Sequence, residues 1–181
     1  MKVRELNTPV QGLDVEWLAT MHHQEYGGDR EFDAKAVGRA CLHCINDSER
    51  KHLNCWIAYD DAYNKPIGYL AGTMHWSFYS YRMYAVQEMW FVLPHFRGTS
   101  AAVRLVREFE QWARERKAER VYMQVEHDND MQLVERIFTL IGKLGYQKKG
   151  YIAVKHISTK EDDDDRTTHS GVGVTERQAA E

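Results

Sequence analysis

A predicted strand, a short loop and an amphipathic helix follow one another between Glu88 and Ala113, and this succession restricts the fold more than any other feature of the sequence. The strand, predicted over 85–93, ends at Pro94 because proline has no N–H to donate to a neighbouring strand. The helix carries its apolar side chains on one face, at Ala102, Leu105, Val106, Phe109, Trp112 and Ala113. Such a helix is predicted to cover the sheet to which the strand belongs.

The other segments alternate between strand and helix patterns. Strands are predicted at 2–8, from Leu53, at 67–76, at 120–126 and at 151–157. Two helices are predicted after Asp14 and Asp33 as N-caps, and a last one runs from Asp130 to Leu144 and ends at Gly145. The order βααβββαβαβ predicts an α+β fold with a mixed, mostly antiparallel sheet flanked by helices and at least one right-handed parallel crossover.

Length and composition fit one domain. The 181 residues are 43% hydrophobic and 12% aromatic, which fills one core and leaves no room for a second full domain. We expect a folded domain over 1–157 and a flexible tail over 158–181, because the tail has three basic and seven acidic residues and little aliphatic bulk. No apolar stretch approaches the ~20 residues that span a bilayer and no signal peptide is recognisable, so we expect a cytoplasmic protein without a membrane partner.

Charge and cysteine content exclude further classes. The net charge is −3 and the tail accounts for −4, so the remaining body is nearly neutral and does not indicate a nucleic-acid binder. Three cysteines without a secretion signal indicate reduced thiols rather than a disulfide framework. Cys41 and Cys44 form a single Cys-x-x-Cys that fits the buried stripe of a helix, and we expect no metal site.

The loop after the strand is suited to an anion. Unpaired N–H groups and the positive end of the dipole lie at the start of a helix, where phosphate groups bind. Small side chains at Gly98, Ser100, Ala101 and Ala102 allow a ligand to approach the backbone, and Arg97 adds a charge. An ordinary tight turn is the alternative interpretation of the same residues.

The residues Val92-x-Pro94 and Arg97-Gly98-x-Ser100-x-Ala102 resemble the acetyl-CoA motif of the GCN5-related N-acetyltransferases (GNAT), Arg/Gln-x-x-Gly-x-Gly/Ala. Lys143-Leu144-Gly145-Tyr146 is similar to the family's second motif at the end of its last helix. Ser100 replaces the first motif glycine, which is tolerable only if that position does not need a positive φ. The segment Trp-Phe-Val-Leu-Pro also resembles acetyltransferases encoded by phages, which would place the protein in a host cytoplasm.

The resemblance implies acetyl-CoA as co-substrate and a splayed pair of parallel strands with the pantetheine arm between them. An N–H at about Val92 or Leu93 would polarise the thioester carbonyl. An amine, from a small molecule or a protein, would then be acetylated by direct attack in a ternary complex. The residues expected to bind acetyl-CoA are Val92, Leu93, Arg97, Gly98, Thr99, Ser100, Ala101 and Ala102.

Glu88 is the candidate general base, because alternation along a strand predicts that it shares a face with Val92. The alternatives are an ordinary exposed strand glutamate and an ion-paired one. Trp90 would lie between them and wall the acceptor pocket, although core packing is equally compatible with its position. The family's usual tyrosine acid is replaced by Ile141, so either a nearby tyrosine such as Tyr146 or Tyr151 acts instead, or water does, or catalysis is weak.

Tyr81 and Tyr84 lie in an aromatic-rich connection where members of the family shape acceptor specificity, and a packed hairpin cap is the alternative. Two other functions stay open. One is a catalytically weak or inactive acyl-CoA-binding or structural protein, and the other is a nucleic-acid-modifying acyltransferase. The sequence does not fix the acceptor or the oligomeric state, and a homodimer is compatible with it.

Overall fold

The computed structural model describes residues 1–26, 32–47, 52–125 and 130–149. Residues 1–146 form one compact unit, and of the second unit, 147–181, only residues 147–149 are described. The predicted last strand, the acidic tail and the catalytic candidate Tyr151 therefore lie outside the described residues.

Within the described residues, five strands form one sheet in the order β1-β2-β3-β4-β5. Neighbouring strands are antiparallel except β4 and β5, which are parallel. The predicted mixed, mostly antiparallel sheet is confirmed. The strands are β1 (Lys2–Glu5), β2 (Leu53–Tyr59), β3 (Pro66–Trp76), β4 (Met83–Val92) and β5 (Arg120–Tyr122).

Four helices in the described ranges flank the sheet, as predicted: α1 (Pro9–Tyr26), α2 (Ala34–Asn46), α3 (Ala101–Glu115) and α4 (Met131–Lys143). Asp33 caps α2 by accepting a hydrogen bond from the Ala36 N–H at 3.1 Å. Asp130 caps α4 in the same way, through the Leu133 N–H at 2.8 Å. The carboxylate at each helix start satisfies one N–H that has no partner inside the helix.

The predicted start of α1 at Asp14 is wrong, because the helix begins at Pro9. Proline suits the first turn, where its missing N–H costs nothing, and the Thr8 hydroxyl accepts from the Gln11 N–H at 3.3 Å. The Gln11 side chain in turn accepts from the Asn7 N–H at 2.8 Å. Asp14 instead accepts a hydrogen bond from the Tyr59 hydroxyl at 2.7 Å, which ties α1 to β2.

The sheet has two covered faces, each with its own apolar core. On the helix-pair face, α1 and α2 pack on residues such as Ile57 and Phe91. On the α3 face, α3 packs on Trp56, Leu70 and Val92. None of the three cysteines forms a disulfide, and all are buried on the helix-pair face: Cys41, Cys44 and Cys55.

Candidate active site

The parallel strands β4 and β5 separate soon after they meet. Pairing runs from Tyr84 opposite Arg120 to Val86 opposite Tyr122, and β5 ends there while β4 continues to Val92. Beyond Val86 a side-chain hydrogen bond replaces the backbone pairing: Gln87 Oε1 accepts from the Gln124 N–H at 3.0 Å. The opening along the free edge of β4 over 87–92, beyond the residues paired with β5, is called the strand gap below. The separation of β4 from β5 is the splayed parallel pair that the family resemblance implied.

The amide of Val92 points into the strand gap, whereas the amide of Leu93 does not. Leu93 donates its N–H to the Ile67 carbonyl at 2.9 Å, on the β3 side. Successive N–H groups of a strand point to alternate sides, so the Val92 N–H points away from β3. Of the two amides predicted to polarise a thioester, the Val92 N–H therefore remains a candidate, and the prediction for Leu93 is wrong.

The start of α3 carries a set of N–H groups without partners, called the loop amides below. Within the part of the chain that the structure describes, no hydrogen bond engages the N–H groups of Gly98, Ser100, Ala102 and Val103. The two intervening amides are used: Thr99 donates to the Phe96 carbonyl at 3.3 Å. Ala101 donates to the Thr99 hydroxyl, also at 3.3 Å. Four of the six amides from Gly98 to Val103 are thus left for a ligand.

Backbone conformation explains why a serine fits this loop. Ser100 has φ −74°, an ordinary value for any residue, so the condition for replacing the motif glycine is met. The left-handed position is taken by Gly98, at φ +84°, and a side chain would be strained there.

Arg97 is held by residues outside the loop. Its guanidinium lies 2.6 Å from one Glu25 carboxylate oxygen and 2.7 Å from the other, and its Nε donates to the Val92 carbonyl at 3.0 Å. The carboxylate on α1 offsets the charge, so Arg97 contributes less positive charge to the loop than predicted. It connects α1 to the end of β4 at the mouth of the strand gap.

A β-bulge changes the direction in which Glu88 points. Ala71 of β3 is opposite Met89, and the next residue, Gly72, is opposite Gln87, so Glu88 is the extra residue of β4. A bulge breaks the alternation of side chains. The predicted shared face for Glu88 and Val92 is therefore wrong. Glu88 points to the helix-pair face.

Glu88 belongs to a group of polar and aromatic side chains, named the Glu88 cluster and formed by Thr73, His75, Tyr84, Glu88 and Tyr122. The Thr73 hydroxyl donates to the Glu88 carboxylate and lies 2.8 Å from His75 Nε2. The His75 ring stacks on Tyr84 at 5.5 Å, and Tyr84 meets Tyr122 edge to face at 5.4 Å. Glu88 is 43% exposed, so a ligand can reach its carboxylate.

The sequence analysis named Glu88 and Tyr84 but missed Thr73, His75 and Tyr122. Period-two spacing places Thr73 and His75 on one face of β3, a signal that was present in the sequence. Their meeting with Glu88 depends on the hairpin register and the bulge, which the sequence does not show.

Two predicted acceptor residues lie outside the cluster. Trp90 packs on the α3 face, opposite Glu88, and its indole N–H is buried without a hydrogen-bond partner among the described residues. Tyr81 is 99% exposed in the connection between β3 and β4. The predicted shared face of Trp90 and Glu88 is therefore wrong, and the role of Tyr81 in acceptor specificity stays a prediction.

The predicted acid Tyr146 has surroundings that oppose proton transfer. Its hydroxyl is buried without a hydrogen-bond partner in the described chain, and burial together with the nearby Glu110 carboxylate raises its pKa well above the ordinary value. Glu110 lies in the third turn of α3, whereas the loop amides lie at the first. Ile141, at the family's tyrosine position, is 4% exposed and aliphatic.

We therefore expect Tyr146→Phe to keep kcat within about twofold, against the roughly 10²-fold or larger loss typical of a general acid. The variant should also unfold at slightly higher denaturant concentration, because it removes a buried hydroxyl without a partner. Steady-state kinetics and urea unfolding check both expectations. A loss of kcat beyond tenfold would establish Tyr146 as the acid.

Two further classes of site were sought. No group of three or more histidine, cysteine or acidic side chains in the described ranges could hold a metal ion. None of the helices in those ranges has the length and apolar character needed to cross a membrane.

A strand that separates from its parallel neighbour, beside unpartnered amides at a helix start, is the arrangement that the family resemblance implied for binding acetyl-CoA. The profile of the acetyltransferase (GNAT) family matches residues 14–133, which is more than half of the chain. The chain therefore belongs to the GNAT family. No curated protein sequence matches it.

Solved structures agree with this fold. An aminoglycoside acetyltransferase from an uncultured soil metagenomic sample is 17% identical with a TM-score of 0.66, and the alignment covers 87% of this chain and 98% of the other. The aminoglycoside N-acetyltransferase AAC(6')-Iy in complex with CoA is 16% identical with a TM-score of 0.67, at 87% and 95% coverage. A ribosomal-protein-alanine N-acetyltransferase from Brucella melitensis biovar Abortus 2308 is 12% identical with a TM-score of 0.61, at 88% and 100% coverage. Identities this low establish the fold alone.

Proposed function

We propose that this protein transfers an acetyl group from acetyl-CoA to a primary amine by direct attack in a ternary complex. The observation that carries the proposal is the strand gap, which opens beside the loop amides at one end and contains the Val92 N–H on its β4 side. Membership of an acetyltransferase family supports the reaction class.

The residues present fit acetyl-CoA. The loop amides are donors without partners at the positive end of a helix dipole, which suits the pyrophosphate. A Cβ placed on Gly98 would meet nothing within 4 Å, so the loop surface there is open. The loop amides would hold the phosphates, and the Val92 N–H would face the thioester. When bound, acetyl-CoA supplies an acetyl group activated as a thioester.

The chain's own groups supply the remaining chemistry. The Glu88 carboxylate accepts a proton from the acceptor, which is needed because an amine is mostly protonated near neutral pH. The Val92 N–H stabilises negative charge on the carbonyl oxygen as the amine attacks. Tyr84 and Tyr122 belong to the same cluster as Glu88, and aromatic rings suit a cationic amine.

Direct transfer is favoured over a cysteine intermediate. Burial, assisted by Glu16, raises the pKa of the Cys41 thiol to about 11, and burial raises the pKa of Cys55 well above its ordinary value. Both thiols stay protonated at neutral pH, and a protonated thiol is a poor nucleophile.

The proposed acceptor is an amine of a small molecule or a protein. Of the three structural neighbours named above, two are described as aminoglycoside acetyltransferases and one as a ribosomal-protein-alanine N-acetyltransferase. These descriptions support amine acceptors of both kinds. A phage origin and a cytoplasmic location remain predictions from the sequence.

Thiol release from acetyl-CoA, measured with a panel of amines, tests the proposal. The panel should contain an aminoglycoside, a polyamine, lysine and a peptide with an N-terminal alanine. We expect release above the amine-free rate for at least one acceptor, with the acetylated product seen by mass spectrometry. A thermal shift with coenzyme A but no turnover would instead support the acyl-CoA-binding alternative.

A further inference from the structure

His75 lies in the Glu88 cluster without a role in the chemistry proposed so far. The Thr73 hydroxyl stands between it and Glu88: it donates to the carboxylate and lies 2.8 Å from His75 Nε2. The imidazole Nε2 is also 3.6 Å from Glu88 Oε1. One hydroxyl is therefore shared by a carboxylate and an imidazole, and a hydroxyl can accept one proton while it donates another.

We propose that Glu88, Thr73 and His75 form one proton-accepting unit, in which His75 receives through Thr73 the proton that Glu88 takes from the acceptor amine. This inference rests on the proposed function. An N–H bond of the acceptor ammonium breaks and its proton goes to Glu88. Once protonated, Glu88 becomes the donor to the Thr73 oxygen, and the hydroxyl turns to donate to His75 Nε2, in the tautomer whose proton is on Nδ1. Glu88 then passes its proton to the Thr73 oxygen as the hydroxyl proton moves to Nε2, and the imidazolium releases the Nδ1 proton to water.

The surroundings of His75 suit this role. Its side chain is 45% exposed, so the imidazole can exchange protons with water. The titratable groups facing it in the described chain are Glu88 and Tyr84 of β4, with Tyr122 of β5 behind Tyr84 and Arg120 beyond it. Of these, only Glu88 lies within hydrogen-bond reach of the Thr73 hydroxyl.

An imidazole also extends the working range of a carboxylate base. Imidazole side chains ordinarily change charge between about pH 5 and 8, whereas carboxylates do so at lower pH. A unit that contains both groups has a second site that can take up the proton. His75 is thus a positioning and proton-exchange residue, and Glu88 is the group that touches the substrate.

The pH dependence of kcat/KM for the acceptor tests the inference, with the amine that the panel identifies as probe. We expect His75→Gln to lower kcat/KM by roughly 10- to 100-fold near neutral pH and to remove the inflection there, with the KM for acetyl-CoA unchanged. Thr73→Val should behave in the same way, and Thr73→Ser should retain most activity because it keeps the hydroxyl. His52→Gln, at an exposed histidine just before β2, is the matched control.

Rescue by free imidazole separates proton transfer from a structural role. The exposed position of His75 leaves room for a small base, so added imidazole should restore part of the activity of His75→Ala and leave Thr73→Val unchanged. A pH profile of His75→Gln that superimposes on that of the wild type would overturn this inference alone. Absence of turnover by the wild-type protein with every amine would overturn both the inference and the proposed function.

Discussion

The Glu88→Gln variant is expected to lose roughly 10²- to 10⁴-fold in kcat near neutral pH, the usual contribution of a positioned general base. Glutamine keeps the size of the side chain and an oxygen that accepts from the Thr73 hydroxyl, so the cluster should stay assembled. It cannot take a proton from an ammonium. The KM for acetyl-CoA should stay within a few-fold, since Glu88 lies on the opposite face from Val92 and away from the loop amides.

The loss should shrink as pH rises, because a neutral amine needs no base and amines ordinarily deprotonate near pH 10. Glu108→Gln, at an exposed glutamate of α3, is the matched control and should keep wild-type kinetics. If Glu88→Gln instead turned over acceptor at the wild-type rate at pH 7, the carboxylate would not be the base.

Gly72→Ala is expected to destabilise the sheet strongly. A Cβ at this position would lie 2.3 Å from Cε2 and 2.8 Å from Cδ2 of the Phe109 ring. That ring is fully buried between α3 and the sheet, so it cannot swing away into solvent. Relief requires α3 to move from the sheet. Overpacking of this kind costs about 3 kcal/mol, which corresponds to a fall in Tm of roughly 6–12 °C.

Gly38→Ala provides the opposite control. A Cβ at Gly38, inside α2, would meet nothing within 4 Å, so alanine should stabilise the protein by about 0.5–1 kcal/mol. Thermal and urea unfolding of both variants measure the difference. Equal stability of Gly72→Ala and the wild type would show that α3 does not pack on β3 at this point.

The order of the elements could be predicted because local signals agree with the fold. Asp33 and Asp130 mark helix starts, and Pro94 ends β4. The start of α1 was placed too late because Asp14, a good N-cap, bonds to a tyrosine on another element. The signal that positions this helix is the pair Thr8 and Gln11.

Some features of the candidate site likewise depend on residues that are neighbours in the sequence, and others depend on residues that are far apart in it. The loop amides follow from a local sequence of small residues, so the position of the predicted loop at the start of α3 agrees with the structure. The direction of Glu88 depends on a bulge opposite Ala71 and Gly72, and the use of Leu93 depends on pairing with β3. Glu25, which holds Arg97, lies 72 residues away in the sequence. Pairing and register over such separations cannot be deduced from local patterns.

The account depends on the loop amides as the site for the pyrophosphate, and a ¹⁵N–¹H NMR titration of the full chain with coenzyme A tests this most directly. The largest chemical-shift changes are predicted at the amides of Gly98, Ser100, Ala102 and Val103, with a further change at Val92 along the strand gap. Saturable binding that leaves these amides unperturbed, or no binding at millimolar coenzyme A, would contradict the account.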